Sequence, residues 1–282
     1  MSGYSGKVLA VGAAGEFAGL VVPALAKRGV RVRGLVRREE QAAGVLSRGA
    51  EEVAVADLTD RDSVRKALAG VDRAFYIAPA FARHEADIGR AFVADAVAAG
   101  VTRIVFSSVV HPVLSALINH AAKAPVEEAV LDAGLEFTFL HPALYFQMLR
   151  RGWRSAVDTG VLAEPWSADT RFSRVDYRDV AEVAARALSG DDLLSGTFDL
   201  AAPGELSRHD VAALITEVTG RPVRAERAEP GPGTPPPMRA MFEHYDRIGL
   251  TANPLPLRAA LGREPRSLRA YFEELAQEES QA

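Results

Sequence analysis

The sequence predicts an α/β fold, a doubly wound parallel sheet, followed by a smaller and irregular C-terminal α/β region. Short, continuously apolar runs alternate with helical segments from residue 7 to residue 142. Several of these helical segments end at a glycine, such as Gly29 and Gly49. Strands that are apolar throughout are buried on both faces, as parallel strands covered by crossover helices are.

In the first half, the apolar run Lys7–Val11 is the first predicted strand, and a glycine-rich turn leads from it into a helix. Asp60 is a predicted N-cap, because its carboxylate can accept hydrogen bonds from the first free amides of the next helix. The predicted strands cover residues 7–11, 30–37, 51–58, 72–79 and 101–108, and the helices cover residues 17–29, 38–49, 61–70 and 85–100.

After Gly134 the alternation becomes less regular. Ser207 is a predicted N-cap, and residues 229–237 are predicted to be a loop because proline removes amide donors and fixes φ. Strands are predicted at residues 135–142, 196–203 and 221–226, and helices at residues 176–190, 206–220, 238–250 and 267–279. The expected domains are residues 1–150, which contain the regular alternation, and residues 151–282, which return in part to the same sheet.

The composition excludes several classes of function. The 282-residue chain has a net charge of −4, whereas nucleic-acid-binding domains are usually strongly basic. Cysteine is absent, which excludes disulfides, a thiolate nucleophile and cysteine-bound zinc, and no metal is expected. The most apolar long window is broken by charged residues, so no membrane span is expected. We expect a cytoplasmic protein that is a monomer or a homodimer.

The segment GAAGEFAG lies directly between the first strand and the first helix. Gly12, Gly15 and Ala18 form a G-x-x-G-x-x-A pattern. The first glycine permits a tight turn, the second lets the backbone approach a pyrophosphate, and the small third residue lets the helix pack on the strand. Free amides at the helix start would face the anion. The residues expected to contact a dinucleotide here are Gly12, Ala14, Gly15, Glu16 and Phe17.

The end of the second strand distinguishes between two dinucleotides. An NAD site usually offers a carboxylate there, whereas an arginine accommodates the 2′-phosphate of NADP. Arg37 and Arg38 occupy this position, and guanidinium groups bind phosphate oxygens in bidentate fashion. We therefore expect NADPH in preference to NAD. The alternative is a pair of solvated arginines, partly neutralised by Glu39 and Glu40.

Taken together, several segments resemble the NmrA-like family of atypical short-chain dehydrogenases/reductases. They include VGAAGEFAG, VRGLVRREE, GVTRIVFSS, KAPVEEAVLDAGLEFTFLHPALYFQ and RVDYRDVAEVAARAL, and the likeness extends to LGREPRSLRAYF. The resemblance implies a Rossmann domain, a small C-terminal domain and a substrate cleft. It further implies that Asp57 and Leu58 contact the adenine, and Ala78 and Pro79 the adenosine side of the cofactor. For Asp57, capping of the next turn is the alternative.

The wider superfamily uses a serine, a tyrosine and a lysine, the last two as Tyr-x-x-x-Lys. By this resemblance Val109 and Asn119 stand at the serine and tyrosine positions, and only Lys123 matches. An asparagine cannot titrate near neutrality, so the tyrosine proton-donor mechanism is not carried over. Lys123 is expected to bind the nicotinamide ribose. The alternative is a solvated lysine or one paired with Glu127, four residues further on.

His111 and His141 are the candidate proton donors, because histidine titrates near neutrality. By the resemblance, His141 and Pro142 stand where the family often has Arg-Pro beside the nicotinamide end of the cofactor. The alternative is that both histidines are structural. Candidates for the substrate site are Asn119, Tyr145, Phe146, Trp153 and Trp166, although aromatic residues also form ordinary core.

Two functions of different class follow. The first is an NADPH-dependent reductase of an apolar quinone or carbonyl compound, since aromatic walls suit a flat apolar substrate. The alternative is a non-catalytic sensor that responds to NADP(H). A non-redox isomerase or cyclase with a vestigial cofactor site is a third possibility.

Overall fold

The computed structural model describes residues 4–281, and its strands and helices alternate over the first half as predicted. The strands are β1 Lys7–Val11, β2 Arg31–Val36, β3 Glu52–Val55, β4 Arg73–Ile77, β5 Arg103–Ser107, β6 Glu136–Pro142, β7 Leu144–Tyr145, β8 Val161–Glu164, β9 Phe172–Val175, β10 Gly196–Leu200, β11 Glu205–Leu206 and β12 Arg224–Arg227.

The α-helices follow in chain order. They are α1 Val21–Ala26, α2 Ala42–Ser47, α3 Arg61–Leu68, α4 Glu85–Ala98, α5 Ile118–Ala121, α6 Ala124–Asp132, α7 Leu149–Thr159, α8 Tyr177–Ser189, α9 Arg208–Thr219, α10 Pro236–Arg247, α11 Leu255–Leu261 and α12 Leu268–Ser280. Single turns of 3-10 helix cover Ala18–Leu20, Glu39–Gln41 and Phe146–Met148.

Seven strands form one sheet in the order β10-β6-β5-β4-β1-β2-β3. Among the six strands β1, β2, β3, β4, β5 and β6, every pair of neighbours is parallel. Ala10 of β1 lies opposite Gly34 of β2 on one side and Phe75 of β4 on the other. The strand order reverses at β1 and β4, and doubly wound sheets bind ligands at the carboxyl ends of the strands at this point. The predicted doubly wound Rossmann fold is confirmed.

Both faces of the sheet are covered by helices, which explains the apolar strands. Leu9, Phe75 and Ile104 are fully buried, and the ring of Tyr76 stacks on Phe92 of α4 with their centroids 4.6 Å apart. A strand buried on both faces has little room for polar side chains. Polar groups near the sheet are therefore concentrated at the strand ends, where a ligand site can form.

The predicted helix caps are present. The Asp60 carboxylate accepts hydrogen bonds from the amides of Asp62 and Ser63, at 3.1 and 3.4 Å. The Ser207 hydroxyl accepts one from the amide of Asp210 at 3.2 Å, and the Asp210 carboxylate accepts one in return from the Ser207 amide. Both caps satisfy amides that have no partner within the helix.

Contacts divide the described chain into two compact units. The first runs to His141 and takes in Val180–Phe198, so that most of α8 and most of β10 belong to the first unit. The second comprises Pro142–Asp179 and the chain from Asp199 onward. The expected division into domains of residues 1–150 and 151–282 stays a prediction.

The second unit contains elements that the sequence analysis missed. β7, β9 and β11 form a small sheet, β8 pairs with β12, and α11 is an additional helix. The loop prediction for residues 229–237 was wrong at its end, because α10 begins at Pro236. Pro236 and Pro237 lie in the first helical turn, where a missing amide costs no hydrogen bond within the helix.

Candidate functional site

A cavity of 460 Å³ opens in the first unit where β1, β2, β3 and β4 end. We call it the glycine pocket. Its wall contains most of the predicted cofactor contacts, namely Gly12, Ala14, Gly15, Glu16, Phe17, Arg37, Asp57, Leu58, Ala78 and Pro79. Of the other predicted contacts, Arg38, Lys123 and Pro142 are not part of this wall. The wall also contains residues that were not predicted as contacts: Val11, Ala18, Leu35, Val36, Gln41, Thr59, Ile77, Ala82 and Ile88.

The turn after β1 keeps the floor of the glycine pocket open. Gly12 has a φ of +72°, a left-handed conformation that favours glycine, and its carbonyl accepts a hydrogen bond from the Gly15 amide at 2.8 Å. A Cβ atom added to Gly15 would lie 3.1 Å from that carbonyl oxygen. The backbone is thus exposed to the pocket because these positions carry no side chains.

The two arginines after β2 have different surroundings. Arg37 lies in the pocket wall, whereas Arg38 lies outside it and pairs with Glu40 at 2.9 Å, although both residues are exposed. The side-chain oxygen of Gln41 accepts hydrogen bonds from the amides of both arginines, at 3.1 Å each, and so holds the backbone here. The signal for Gln41 was its position three residues after Arg38, the N3 position of a capping box.

Asp57 both lines the pocket and caps a turn. Its carboxylate accepts hydrogen bonds from the amide and the hydroxyl of Thr59, at 2.8 and 2.7 Å. These hydrogen bonds, with a smaller contribution from the charge of Arg37, hold the pKa of Asp57 below its ordinary value. A carboxylate therefore lies in the same wall as Arg37.

A second group of side chains lies at the ends of β4, β5 and β6 in the same unit. We call it the polar cluster; it consists of Glu85, Ser108, Lys123, Glu127 and His141. Lys123 and Glu85 are both buried and form an ion pair. The other carboxylate oxygen of Glu85 accepts a hydrogen bond from the Phe81 amide at 2.8 Å. Lys123 is therefore neither solvated nor paired with Glu127.

Glu127 instead binds the other members of the polar cluster. Its carboxylate accepts a hydrogen bond from the Ser108 hydroxyl at 2.5 Å and lies 2.9 Å from Nε2 of His141. The side chains of His141 and Glu127 are 8% and 15% exposed, so their interaction is only weakly screened by water. Neither Glu85 nor Glu127 was predicted as a site residue, because their partners come from distant parts of the sequence.

The remaining candidates at this end of the sheet are His111 and Asn119, which are both half-buried. His111 has a φ of +55°, and its carbonyl accepts a hydrogen bond from Nδ1 of the fully buried His120 at 3.1 Å. Within residues 4–281, Nε2 of His120 has no hydrogen-bond partner. Burial lowers the pKa of His120, so this ring is neutral at neutral pH.

The candidate substrate aromatics lie in the second unit. Phe146 and Trp153 are only 2% exposed and belong to its hydrophobic core, where Trp153 stacks on Phe272 with centroids 5.0 Å apart. Trp166 packs against Phe172, Phe242 and Tyr245 in a separate group of rings. Tyr145 is half-buried and makes an edge contact with Tyr177.

Between residues 4 and 281, no three or more His, Asp or Glu side chains are grouped so that they could hold a metal ion. In the same range, no helix combines the length and the apolar character needed to cross a bilayer.

The fold and the glycine pocket define a class: a Rossmann-type protein with a ligand-sized cavity at the carboxyl ends of its strands. Within that class the chain belongs to the NmrA-like family, whose sequence profile matches residues 4–237. The resemblance found in the sequence is thereby confirmed.

Named relatives extend over most of the chain. A (4-alkanoyl-5-oxo-2,5-dihydrofuran-3-yl)methyl phosphate reductase of Streptomyces griseus is 30% identical over 96% of this chain and 98% of its own length. An NAD(P)H azoreductase of Xenophilus azovorans is 28% identical over 84% and 86% of the two chains. Among solved structures, the NADPH complex of an NADPH-dependent quinone oxidoreductase from Escherichia coli superposes with a TM-score of 0.84 at 22% identity, covering 96% and 99% of the two chains.

Proposed function

We propose that this protein is an NADPH-dependent reductase of a flat, apolar quinone or carbonyl compound. The observation that carries the proposal is the glycine pocket, in which the glycine turn after β1 and Arg37 share one wall. The names of the two sequence relatives, both of them reductases, support the same class of reaction.

The residues of the glycine pocket fit a dinucleotide. Open backbone at Gly12 and Gly15 suits a pyrophosphate, and Arg37 suits the 2′-phosphate that distinguishes NADPH from NADH. When bound, NADPH supplies a hydride ion. Asp57 in the same wall would favour a ribose hydroxyl, so the preference for NADPH depends on Arg37 outweighing this carboxylate.

Lys123 is proposed to bind the nicotinamide ribose, as the family resemblance implies. Its ion pair with Glu85 keeps a cation at the strand ends although the side chain is buried. Glu85 also accepts a hydrogen bond from the Phe81 amide. The loop that contains Phe81 contributes Pro79 and Ala82 to the wall of the glycine pocket. The polar cluster and the glycine pocket are thus joined by one short loop.

Reduction of a carbonyl or quinone oxygen also requires a proton, and His141 is the better of the two candidate donors. Its Nε2 lies 2.9 Å from Glu127, and a carboxylate in this position orients the ring. His111 has an unusual backbone conformation, and its carbonyl holds His120.

A sensor that binds NADP(H) without turnover is the second candidate, favoured by Asn119 at the position of the superfamily's catalytic tyrosine. The test is a fluorescence titration with NADPH and with NADH, followed by NADPH oxidation with a panel of quinones and aromatic ketones. Tighter binding of NADPH and steady turnover of a panel member are expected. Tight binding without turnover would favour the sensor, and failure to bind either nucleotide would exclude both candidates.

A further inference from the structure

Arg174 in the second unit is a buried cation without adequate partners. The residue is 5% exposed, and its Nε has no hydrogen-bond partner in the part of the chain that the structure describes. The carboxylate paired with it, that of Glu164, lies 3.7 Å away, which is too long for a hydrogen bond. An unsatisfied buried guanidinium is unusual in folded proteins and calls for a physical explanation.

Two other buried arginines show what a satisfied guanidinium looks like. Arg103 donates hydrogen bonds to Glu136 and Asp191, each at 2.8 Å, and to two backbone carbonyls. Arg208 donates to Glu164 at 3.3 Å and to the carbonyls of Trp166 and Glu226, at 2.8 and 2.7 Å. These arginines have the bonds that a structural role requires.

Arg174 and Arg208 together carry more positive charge than the carboxylate beside them can neutralise. Arg174 and Arg208 share the single carboxylate of Glu164, which lies closer to Arg208. Burial lowers the pKa of Arg174, and the attraction of Glu164 offsets this only in part. One positive charge in this part of the second unit therefore has no anion of its own, and an uncompensated buried charge is costly.

The surroundings of Arg174 are aromatic. Phe172 lies two residues earlier on the same face of β9, with its ring centroid 5.8 Å from the guanidinium carbon. The ring of Tyr245 makes an edge contact with Phe172. A planar guanidinium matches the oxygens of a carboxylate, sulfonate or phosphate.

We propose that Arg174 binds the anionic group of a ligand, a carboxylate, sulfonate or phosphate, beside the aromatic side chains of Phe172 and Tyr245. The anion supplies the hydrogen-bond acceptor that residues 4–281 do not offer to Nε of Arg174. It comes either from a free inorganic ion or from the acidic substituent of an aromatic molecule, and the two sources are separated by experiment.

The binding test uses isothermal titration calorimetry on the full chain with three probes: sulfate, naphthalenesulfonate and neutral naphthol. Saturable binding of naphthalenesulfonate is expected, with at least tenfold weaker binding by Arg174→Met. Arg171→Met is the matched control, because Arg171 lies on the same segment but is exposed and paired with Asp210. It should bind the probe as the parent does.

The three probes distinguish the sources of the anion. Sulfate that binds as well as naphthalenesulfonate assigns the site to a free ion, whereas preference for naphthalenesulfonate assigns it to an acidic aromatic ligand; both results support the proposal. Absence of saturable binding of either anion overturns it, as does equal affinity in Arg174→Met and the parent. Naphthol that binds as tightly as naphthalenesulfonate would also overturn it.

A thermal melt tests whether the role of Arg174 is purely structural. Arg174→Met should have a Tm equal to or above that of the parent, because Glu164 keeps its hydrogen bond with Arg208. A clearly lower Tm with unchanged affinity for naphthalenesulfonate would show that Arg174 only supports the fold. Arg174→Lys, which keeps the charge but loses the planar fork, should bind naphthalenesulfonate with intermediate affinity.

A kinetic experiment, which rests on the proposed reductase function, compares a naphthoquinone sulfonate with the unsubstituted naphthoquinone as substrates. Arg174→Met should raise KM for the sulfonate about tenfold and leave KM for the neutral quinone unchanged, if the anion is part of the substrate. Naphthalenesulfonate bound through Arg174 by a protein that reduces neither quinone would refute the reductase and leave the anion site standing.

Discussion

The glycine pocket and the polar cluster lie at the same edge of one sheet, yet they are constructed in opposite ways. The glycine pocket is an open cavity lined mainly by glycines and apolar residues. The polar cluster is closed, with charged groups buried in pairs. The difference is one of access, because the glycine pocket has room for a ligand whereas the polar cluster holds its side chains in fixed positions by bonds among themselves.

The polar cluster also contains an instructive contrast within itself. Lys123 and Glu127 are one helical turn apart, the spacing at which a lysine and a glutamate commonly pair. Here each bonds instead to a residue from another element, Lys123 to Glu85 and Glu127 to His141. Burial makes the tertiary partners stronger than the local one, because a buried charge needs a close partner.

The largest expected effect separates the two candidate histidines. His141→Gln should reduce turnover by about 10²–10⁴-fold, the usual contribution of a general acid, with little change in affinity for NADPH. The matched variant His111→Gln should retain most of the activity. Steady-state kinetics with one quinone substrate measure the turnover of both variants. Equal losses of turnover would show that the contact with Glu127 does not make His141 the better proton donor.

The next effect concerns the stability of the polar cluster. Glu85→Ala should lower the free energy of unfolding by about 3–5 kcal/mol, because it leaves the charge of Lys123 buried and unpaired. Adding Lys123→Met to this variant should restore part of the loss. Urea denaturation of the single and double variants measures the coupling, and additive losses would mean that the two side chains are independent.

In the glycine pocket, Gly15→Val should weaken binding of both nucleotides by about 100-fold or more, equivalent to about 2.7 kcal/mol. The branched side chain would fill the place offered to the pyrophosphate. Gly44→Ala is the control, because a Cβ atom there meets nothing within 4 Å. Circular dichroism should show the parent fold in both, and undiminished fluorescence titration of Gly15→Val would contradict the assignment of the pocket.

Arg37→Glu should weaken the binding of NADPH by about tenfold to 100-fold, since a charge-assisted hydrogen bond contributes about 1.5–3 kcal/mol. The affinity for NADH should change little. Arg38→Glu is the comparison, because Arg38 is exposed and paired with Glu40. Titrations of both variants with both nucleotides give the ratio of affinities. If Arg37→Glu leaves the ratio of the two affinities unchanged, Arg37 is an ordinary surface residue that does not select NADPH.

The smallest effect is one of pH and concerns His120, whose pKa is lowered by burial in the folded state. The stability that its neutral ring contributes is complete above the unfolded pKa of about 6.5 and is lost as the pH falls through the lower folded pKa. Thermal melts from pH 8 to pH 5 should show stability falling with pH more steeply in the parent than in His120→Gln. Parallel curves would mean that His120 does not titrate differently on unfolding.

The regular half of the fold followed from the sequence because its signals are local. Asp60 and Ser207 were recognised as caps from their position before a helix, and both accept the expected hydrogen bonds. The short strands β7, β8, β9 and β11 were missed. Each has two to four residues, too few to show periodicity, and each depends on pairing with another short segment.

The same distinction holds for the sites. The sequence by itself determined the Rossmann order and singled out Gly12, Gly15 and Arg37 of the pocket wall, because glycines in a turn and an arginine at a strand end act through their own backbone and charge. Only the tertiary structure decided that Lys123 bonds Glu85, that Glu127 holds His141, and that Arg174 is left without acceptors. Those outcomes depend on which charges become buried beside one another, and spacing along the chain carries no information about that.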